Sequence, residues 1–313
     1  MKKTCEKKKW NSNIIKNVLF RNNIKGKIEN ISYLPFKKIL ITIKYKEDIS
    51  ILKICHDPYS IKLSNNENKS YKIIKKNNLN FINILPFRKI RSKKNISLTV
   101  IKFINGKKAN FFEFNNFYKF TNLNKTKNFS INNYINKKIN NYIHLNKKIS
   151  KDLSINKFKK KILNIYKLDK VITNYSHGDF CKYNTIKNKK NNYVIDLEFF
   201  NKNRNFLYDF LFWHLVPVLN YLYKLNNMLP VSIIFYLIEN FIKYNLLKEK
   251  KLNINNLKLY ISLFFFERIL QLKTELKLKN INKFLTKFHQ RRNLKLINFY
   301  EKLLNCFLNK RKE

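Results

Sequence analysis

The chain has 313 residues, 44% of them hydrophobic, enough to bury a sizeable core and a size that suits two lobes around a cleft. No uninterrupted apolar run reaches about 18 residues, and the nearest approach, Phe206 to Tyr223, is broken by Asp209, His214 and Asn220. A transmembrane helix is thereby excluded, whereas the formal charge of +47 keeps a nucleic-acid-binding protein in view.

That charge has a compositional explanation. The excess is lysine, 58 residues against eight arginines, and it is dispersed from Lys2 to Lys312 instead of marking one patch. Lysine rises together with asparagine, isoleucine, phenylalanine and tyrosine, whose codons are AT-rich, while alanine occurs once, at Ala109. A genome under AT pressure spreads such residues over any tolerant surface. A dedicated nucleic-acid protein favours arginine for bidentate contacts, so nucleic acid is the weaker reading.

The start, Met1 to Lys9, is charged and lacks the apolar core of a secretion signal, so a cytoplasmic location is expected. Residues 39–54 read as a hairpin of two β-branched strands around Lys46-Glu47-Asp48, with Lys53 near the end of the second strand and Lys44 on the first. Leu63 to Glu67 opens a helical pattern in which Ser64 and Glu67 form a candidate capping box. Leu98 to Ile104 is a further strand, ended by Asn105-Gly106. The only glycine before the hairpin is Gly26, so no glycine-rich phosphate loop precedes it.

Helices are expected near 130–146 and 154–167. Val171 to Tyr175 and Asn192 to Ile195 read as short strands flanking Ser176-His177-Gly178-Asp179-Phe180-Cys181-Lys182-Tyr183-Asn184. Asp196-Leu197-Glu198 follows at once. In a chain with three glycines and seven aspartates, this stretch collects one glycine and two aspartates among hard oxygen donors. Phosphoryl transfer needs a carboxylate to orient and deprotonate the acceptor and a divalent metal to neutralise phosphates. Asp179 suits the first task, and Asn184 and Asp196 suit the second, since Mg²⁺ takes one or two protein oxygens and fills the rest with phosphate and water. The Asp-to-Asn interval of five is that of a kinase catalytic loop, with glycine in place of arginine. Further helices are expected near 205–225, 230–247, 253–274 and 281–309.

The four cysteines, Cys5, Cys55, Cys181 and Cys306, show no metal spacing and are expected as free thiols. Cys181 inside the loop invites a nucleophile reading, but phosphoryl transfer needs none. The aromatics Phe199, Phe200, Phe206, Tyr208, Phe210, Phe212 and Trp213 are read either as core or as a cage for a quaternary ammonium, core being favoured.

The ordered set HGDFCKYN, YVIDLEFF and NFLYDF resembles the aminoglycoside phosphotransferase and choline kinase superfamily of kinase-like small-molecule phosphotransferases. The resemblance implies an α+β, two-lobed protein-kinase-like fold, with a β-rich nucleotide-binding lobe at 1–104 and a helical lobe with catalytic loop and acceptor pocket at 105–313. It implies ATP and Mg²⁺ as cofactors and the hydroxyl of a small molecule, an amino alcohol or sugar, as acceptor. Asp179 then maps to the base, Asn184 and Asp196 to the metal ligands, and Glu198 to a second acid whose role varies. Asp209 and His177 would brace the loop. Lys53 would reach the nucleotide phosphates with Glu67 as its ion-pair partner, with Lys44 the rival lysine and a plain helix-start carboxylate the rival role for Glu67. Adenine would sit against the backbone near Ile101 to Ile104. The alternatives are an inactive kinase-like binding protein and the nucleic-acid-binding protein.

Overall fold

The computed structural model describes residues 12–34, 38–77, 83–85, 87–93, 96–110, 112–117, 127–143, 149–189, 191–225, 230–248, 257–276 and 283–309. The charged start with Cys5, and the ends of several expected helices such as 144–146 and 253–256, lie outside these residues.

The first lobe is built on the expected hairpin. Strand β2 (Lys38–Tyr45) pairs antiparallel with β3 (Asp48–Cys55). Lys46 takes the left-handed conformation, φ 54°, that the two-residue connection requires. The hairpin is the centre of a five-stranded antiparallel sheet of order β1-β2-β3-β5-β4, with β1 at Lys27–Leu34, β4 at Phe87–Lys93 and β5 at Ile96–Lys102. Side chains alternate across the pleat. Ile39, Ile41, Ile43, Leu52, Ile54 and Leu98 bury one face, with Ile15 and Leu19 of helix α1 (Ser12–Arg21) in the same cluster. Each fully buried aliphatic of this kind contributes about 1.5–3 kcal/mol.

The opposite face receives helix α2 (Pro58–Asn77), which starts earlier than the sequence suggests. Asp57 caps it, its Oδ1 accepting from the backbone N–H of Tyr59 at 2.9 Å and of Ser60 at 3.2 Å, and Pro58 sits at the first helical position, where no amide donor is needed. The Ser64–Glu67 capping box is therefore corrected: both residues lie mid-helix. The Ser64 hydroxyl instead meets the Ser97 hydroxyl of β5 at 2.9 Å. Ser60, Ser64, Glu67, Ser70 and Ile74 form the buried stripe, its small residues letting the helix lie close to the sheet.

The second lobe is mostly helical. Strand β6 (Lys127–Ser130) leads into α3 (Ile131–Ile143) and α4 (Leu153–Ile165). Strand β7 (Lys170–Ser176) lies between β6 and β10 (Asn201–Asn205), while β8 (Thr185–Lys187) and β9 (Asn192–Val194) form a separate two-stranded hairpin. Helices α5 (Tyr208–Leu225), α6 (Val231–Lys248), α7 (Leu257–Leu276) and α8 (Lys283–Asn309) complete the chain. The middle of α7, Leu259 to Phe266, is buried on every side, which makes this helix the axis of the core. The chain leaves β5 and meets β8 closely: Gly106 packs where a Cβ would stand 2.6 Å from the Lys187 carbonyl oxygen, and Lys107 donates to that oxygen at 2.9 Å. The result is a two-lobed α+β fold.

Candidate active site

The alternation that sends Leu52 and Ile54 towards α1 sends Lys53 to the other face, against α2. Lys53 is 6% exposed. It donates to Glu67 Oε2 at 3.0 Å and to Asp196 Oδ1 at 3.4 Å, and it also pairs with Glu198. Burial disfavours its charge, but Glu67, Asp196 and Glu198 together outweigh burial and hold the ammonium well above its ordinary range. Burial in turn pushes the Glu67 carboxyl up to about 7 against the pull of Lys53. The rival lysine, Lys44, is exposed at the far end of β2 and lies outside this cluster. Glu67, nine residues into α2, is not a helix-start carboxylate.

The loop that follows β7 is held from below by α5. Asp209, in its first turn, accepts from the Ser176 hydroxyl at 2.9 Å, from the His177 amide at 2.7 Å and from the Gly178 amide at 3.0 Å. His177 is fully buried, with Nε2 2.8 Å from the Ile195 carbonyl oxygen. Its Nδ1 accepts from the Asp179 amide at 3.3 Å. Asn184 gives its amide hydrogens to the Asp179 backbone oxygen, 2.8 Å, and carboxylate Oδ2, 3.2 Å, leaving its side-chain oxygen for another partner. The Ile195 amide donates to the Asn184 carbonyl at 3.0 Å, which sets Asp196 beside the loop. Asp196 itself adopts φ 62°, a strained left-handed backbone that aspartate tolerates better than most residues.

Gly178 is a second fixed point. With φ +84°, a Cβ there would stand 2.1 Å from Arg204 Nη1 and 2.3 Å from the Phe199 carbonyl oxygen. Gly178→Ala is expected to cost about 2–3 kcal/mol or more, from left-handed strain plus the clash with backbone, and to reduce activity with it. Urea denaturation checks this, and an unchanged midpoint contradicts it.

Glu198 is buried rather than open to solvent. It pairs with Lys53 and with Lys38 at the start of β2, while Asn66 of α2 donates to the Glu198 and Phe200 carbonyl oxygens at 2.7 and 3.2 Å. Glu67, Asp196 and Glu198 thus place three carboxylates around two lysines, with ligand atoms within 4.8 Å of one another. For Asp196 burial pushes the carboxyl up, but Lys53, Lys38 and His177 prevail and keep it below its ordinary value. A surplus carboxylate, with the Asn184 oxygen nearby, is a donor set of hard oxygens that fits Mg²⁺.

Asp179, Asp196, Glu198 and Lys38 open onto a cavity of about 370 Å³ whose far wall is Arg268, Gln271 and Glu275 of α7 and Arg292 of α8. A larger cavity, about 770 Å³, lies on the α1 side of the sheet around Tyr45, Asp48 and Lys102, away from all of these groups. Of the seven aromatics that suggested core or cage, Phe200, Phe206, Tyr208, Phe210, Phe212 and Trp213 are buried. Phe199 alone of them lines the cavity, which favours core packing. Burial pushes the Cys181 thiol up to about 11, so it is no ready nucleophile.

Three contributors were invisible in the sequence. Lys38 is one lysine among 58 and gives no local signal. Arg204 and Glu267, which meet at 2.9 Å beneath Gly178, lie on a polar strand and inside an apolar helix. Arg268 did carry a signal: arginine is scarce in this lysine-rich chain, so one retained in Phe264-Phe265-Phe266-Glu267-Arg268-Ile269 stands out.

No protein-family model and no curated protein matches the chain in sequence. Solved structures do match in fold over nearly the whole length. A thermostable variant of aminoglycoside phosphotransferase APH(4)-Ia in ternary complex with ADP and hygromycin B superposes with TM-score 0.53 at 10% identity, covering 96% of this chain and 100% of that one. The GDP and kanamycin complex of an APH(2") enzyme gives 0.52 at 11%, covering 92% and 98%. Choline kinase LicA from Streptococcus pneumoniae gives 0.50 at 13%, covering 92% and 99%. The chain therefore has the fold of the aminoglycoside phosphotransferases and choline kinase, as its motifs led one to expect.

Proposed function

We propose that this protein is an ATP- and Mg²⁺-dependent phosphotransferase that phosphorylates the hydroxyl of a small molecule, with residues 1–104 as nucleotide-binding lobe and 105–313 as helical lobe. The observation that supports this most is the meeting of Lys53 and Glu67 from the sheet lobe with Asp196 from the helical lobe, next to the loop carrying Asp179 and Asn184. Lys53 steadies the nucleotide phosphates, and Glu67 fixes its ammonium. Asn184 and Asp196 would hold Mg²⁺, which when bound supplies charge neutralisation at the phosphates. Asp179 orients the acceptor hydroxyl and takes its proton, His177 and Asp209 keeping the loop in place.

The reading is tested by thermal shift. ATP with Mg²⁺ is expected to raise the melting temperature of the wild type, and Lys53→Met or Asp196→Ala is expected to remove the shift while leaving the apo melting temperature measurable. A full shift in both variants contradicts it. The pH dependence follows from Asp179. Burial raises its carboxyl above the ordinary 3.8; Arg268, His177 and Asn184 pull it back, while Asp196 pushes it up further. The base must be ionised, so kcat/KM is expected to fall as pH drops through this raised value, with the acid limb above that of a free aspartate. A pH–rate profile flat down to pH ~4 contradicts it.

A further inference from the structure

We propose that the acceptor carries, beside its hydroxyl, an anionic group, a carboxylate or a phosphate, and that Arg268, assisted by Arg292, receives it. The inference rests on the phosphotransferase reading and names its substrate class. Helix α7 presents Arg268, Gln271 and Glu275 at helical spacing on one side of the cavity that also holds Asp179. The Arg268 guanidinium lies 4.8 Å from the centre of the Phe212 ring, and Nη1 donates to the neutral Gln271 oxygen at 2.8 Å. Its Nε is buried without a hydrogen-bond partner. Among the described residues no carboxylate reaches it within ion-pair distance. Glu275 instead accepts from Gln271 Nε2 at 3.2 Å.

Arg268 is half-buried, Asp179 and Glu275 favour its positive charge without an ion-pair contact among the described residues, and an anion delivered by the substrate would meet donors still open on the guanidinium. Its planar fork also matches a carboxylate or phosphate bidentately, which no lysine can do. The acidic groups of the cavity are already committed elsewhere: Glu198 to Lys38 and Lys53, Asp196 to Lys53 and the metal, Asp179 to the hydroxyl. A polycationic acceptor would find Glu275 alone, and a quaternary ammonium would find Phe199 alone of the aromatics that could cage it. At about 370 Å³ the cavity is near the small end for ligand pockets, which suits a short or single-ring acceptor.

The test measures ADP formation by the full-length protein with ATP and Mg²⁺ on matched acceptors. Glycerol is set against glycerate and glycerol 3-phosphate, ethanolamine against serine, and glucose against gluconate and glucose 6-phosphate, with choline and kanamycin as cationic controls. The expected result is a kcat/KM at least about tenfold higher for an anionic member than for its uncharged or cationic counterpart. The carboxylate and phosphate arms tell which anion is used. Arg268→Gln is expected to erase the preference mainly by raising KM, with the ATP-dependent thermal shift retained. Arg292→Gln, at an exposed position, is expected to weaken it less and serves if the first variant does not fold. Turnover confined to neutral or cationic acceptors, or an anion preference unmoved in both variants, overturns the acceptor assignment and leaves phosphoryl transfer standing. Absence of acceptor-stimulated turnover across the panel overturns it as well, and absence of an ATP-dependent thermal shift in the wild type overturns the underlying function too.

Discussion

Asp179→Asn is expected to lower kcat by about 10²–10⁴-fold, the usual contribution of a positioned general base, while nucleotide binding stays near the wild-type level. The reason is geometric. The Asp179 amide is tied to His177 Nδ1, and its backbone oxygen and carboxylate to the Asn184 amide, so the carboxylate is fixed without help from the sheet lobe. Asparagine keeps the shape and loses the proton acceptor. Its effect should therefore fall on kcat and not on the ATP-dependent thermal shift, whereas Lys53→Met should fall on both. A variant with wild-type kcat contradicts the role given to Asp179; a variant that loses nucleotide binding as well shows that Asp179 acts through the loop's structure.

Glu267→Ala is expected to cost about 3–5 kcal/mol of stability, the penalty for stranding buried charge, measured as a shift in the urea midpoint. Glu267 is fully buried in α7 and sits between Arg204 Nε at 2.9 Å and Lys138 Nζ at 3.3 Å, with the Tyr134 hydroxyl also donating to it. Burial already pushes Lys138 down to about 7. Without Glu267 that lysine sheds its proton, but Arg204 cannot, and an uncompensated guanidinium is left in the core. The damage should also reach the loop, because Arg204 lies against Gly178 and donates to the Phe199 carbonyl oxygen at 3.4 Å. Glu267→Gln, which retains a hydrogen-bonding side chain of the same size, should cost less. A destabilisation by Glu267→Ala within experimental error of zero contradicts this account.

The legible parts of the chain were those in which local pattern and tertiary demand agree. Helices α5 to α7 are largely apolar stretches, α8 carries Leu and Phe among its lysines at helical spacing, and the β2–β3 hairpin alternates β-branched residues around a charged turn, so all are written locally. Strand β10, Asn201–Asn205, has no β-branched residue and exists because it pairs with β7, Arg204 opposite Asn174 and Asn205 opposite Thr173. Strands β1 and β4 sit at the sheet edges, where basic and polar side chains are admitted. Helix α2 starts at Asp57-Pro58 and not at the Ser-x-x-Glu pattern of Ser64 to Glu67, aspartate before proline being an equally physical start signal.

At the site the contrast is sharper. Asp179, Asn184, Asp196 and Glu198 were readable because scarce residue types cluster within one short stretch. Lys53 was separable from Lys44 only through Glu67, and the sheet's alternation is what brings that pair together. Lys38 was hidden because composition makes every lysine look alike, and its partnership with Glu198 spans 160 residues. Glu198 was the least determined of the acids in sequence, and its buried place between two lysines gives it an electrostatic task.

The central claim is tested most directly by following the label from γ-labelled ATP in the presence of Mg²⁺ and the acceptor panel. Wild-type protein is expected to move the label to an acceptor hydroxyl, and Asp179→Asn and Asp196→Ala each to slow the transfer by at least about 10²-fold. Label transfer at the wild-type rate in both variants, or its absence from the wild type with every acceptor, contradicts the account.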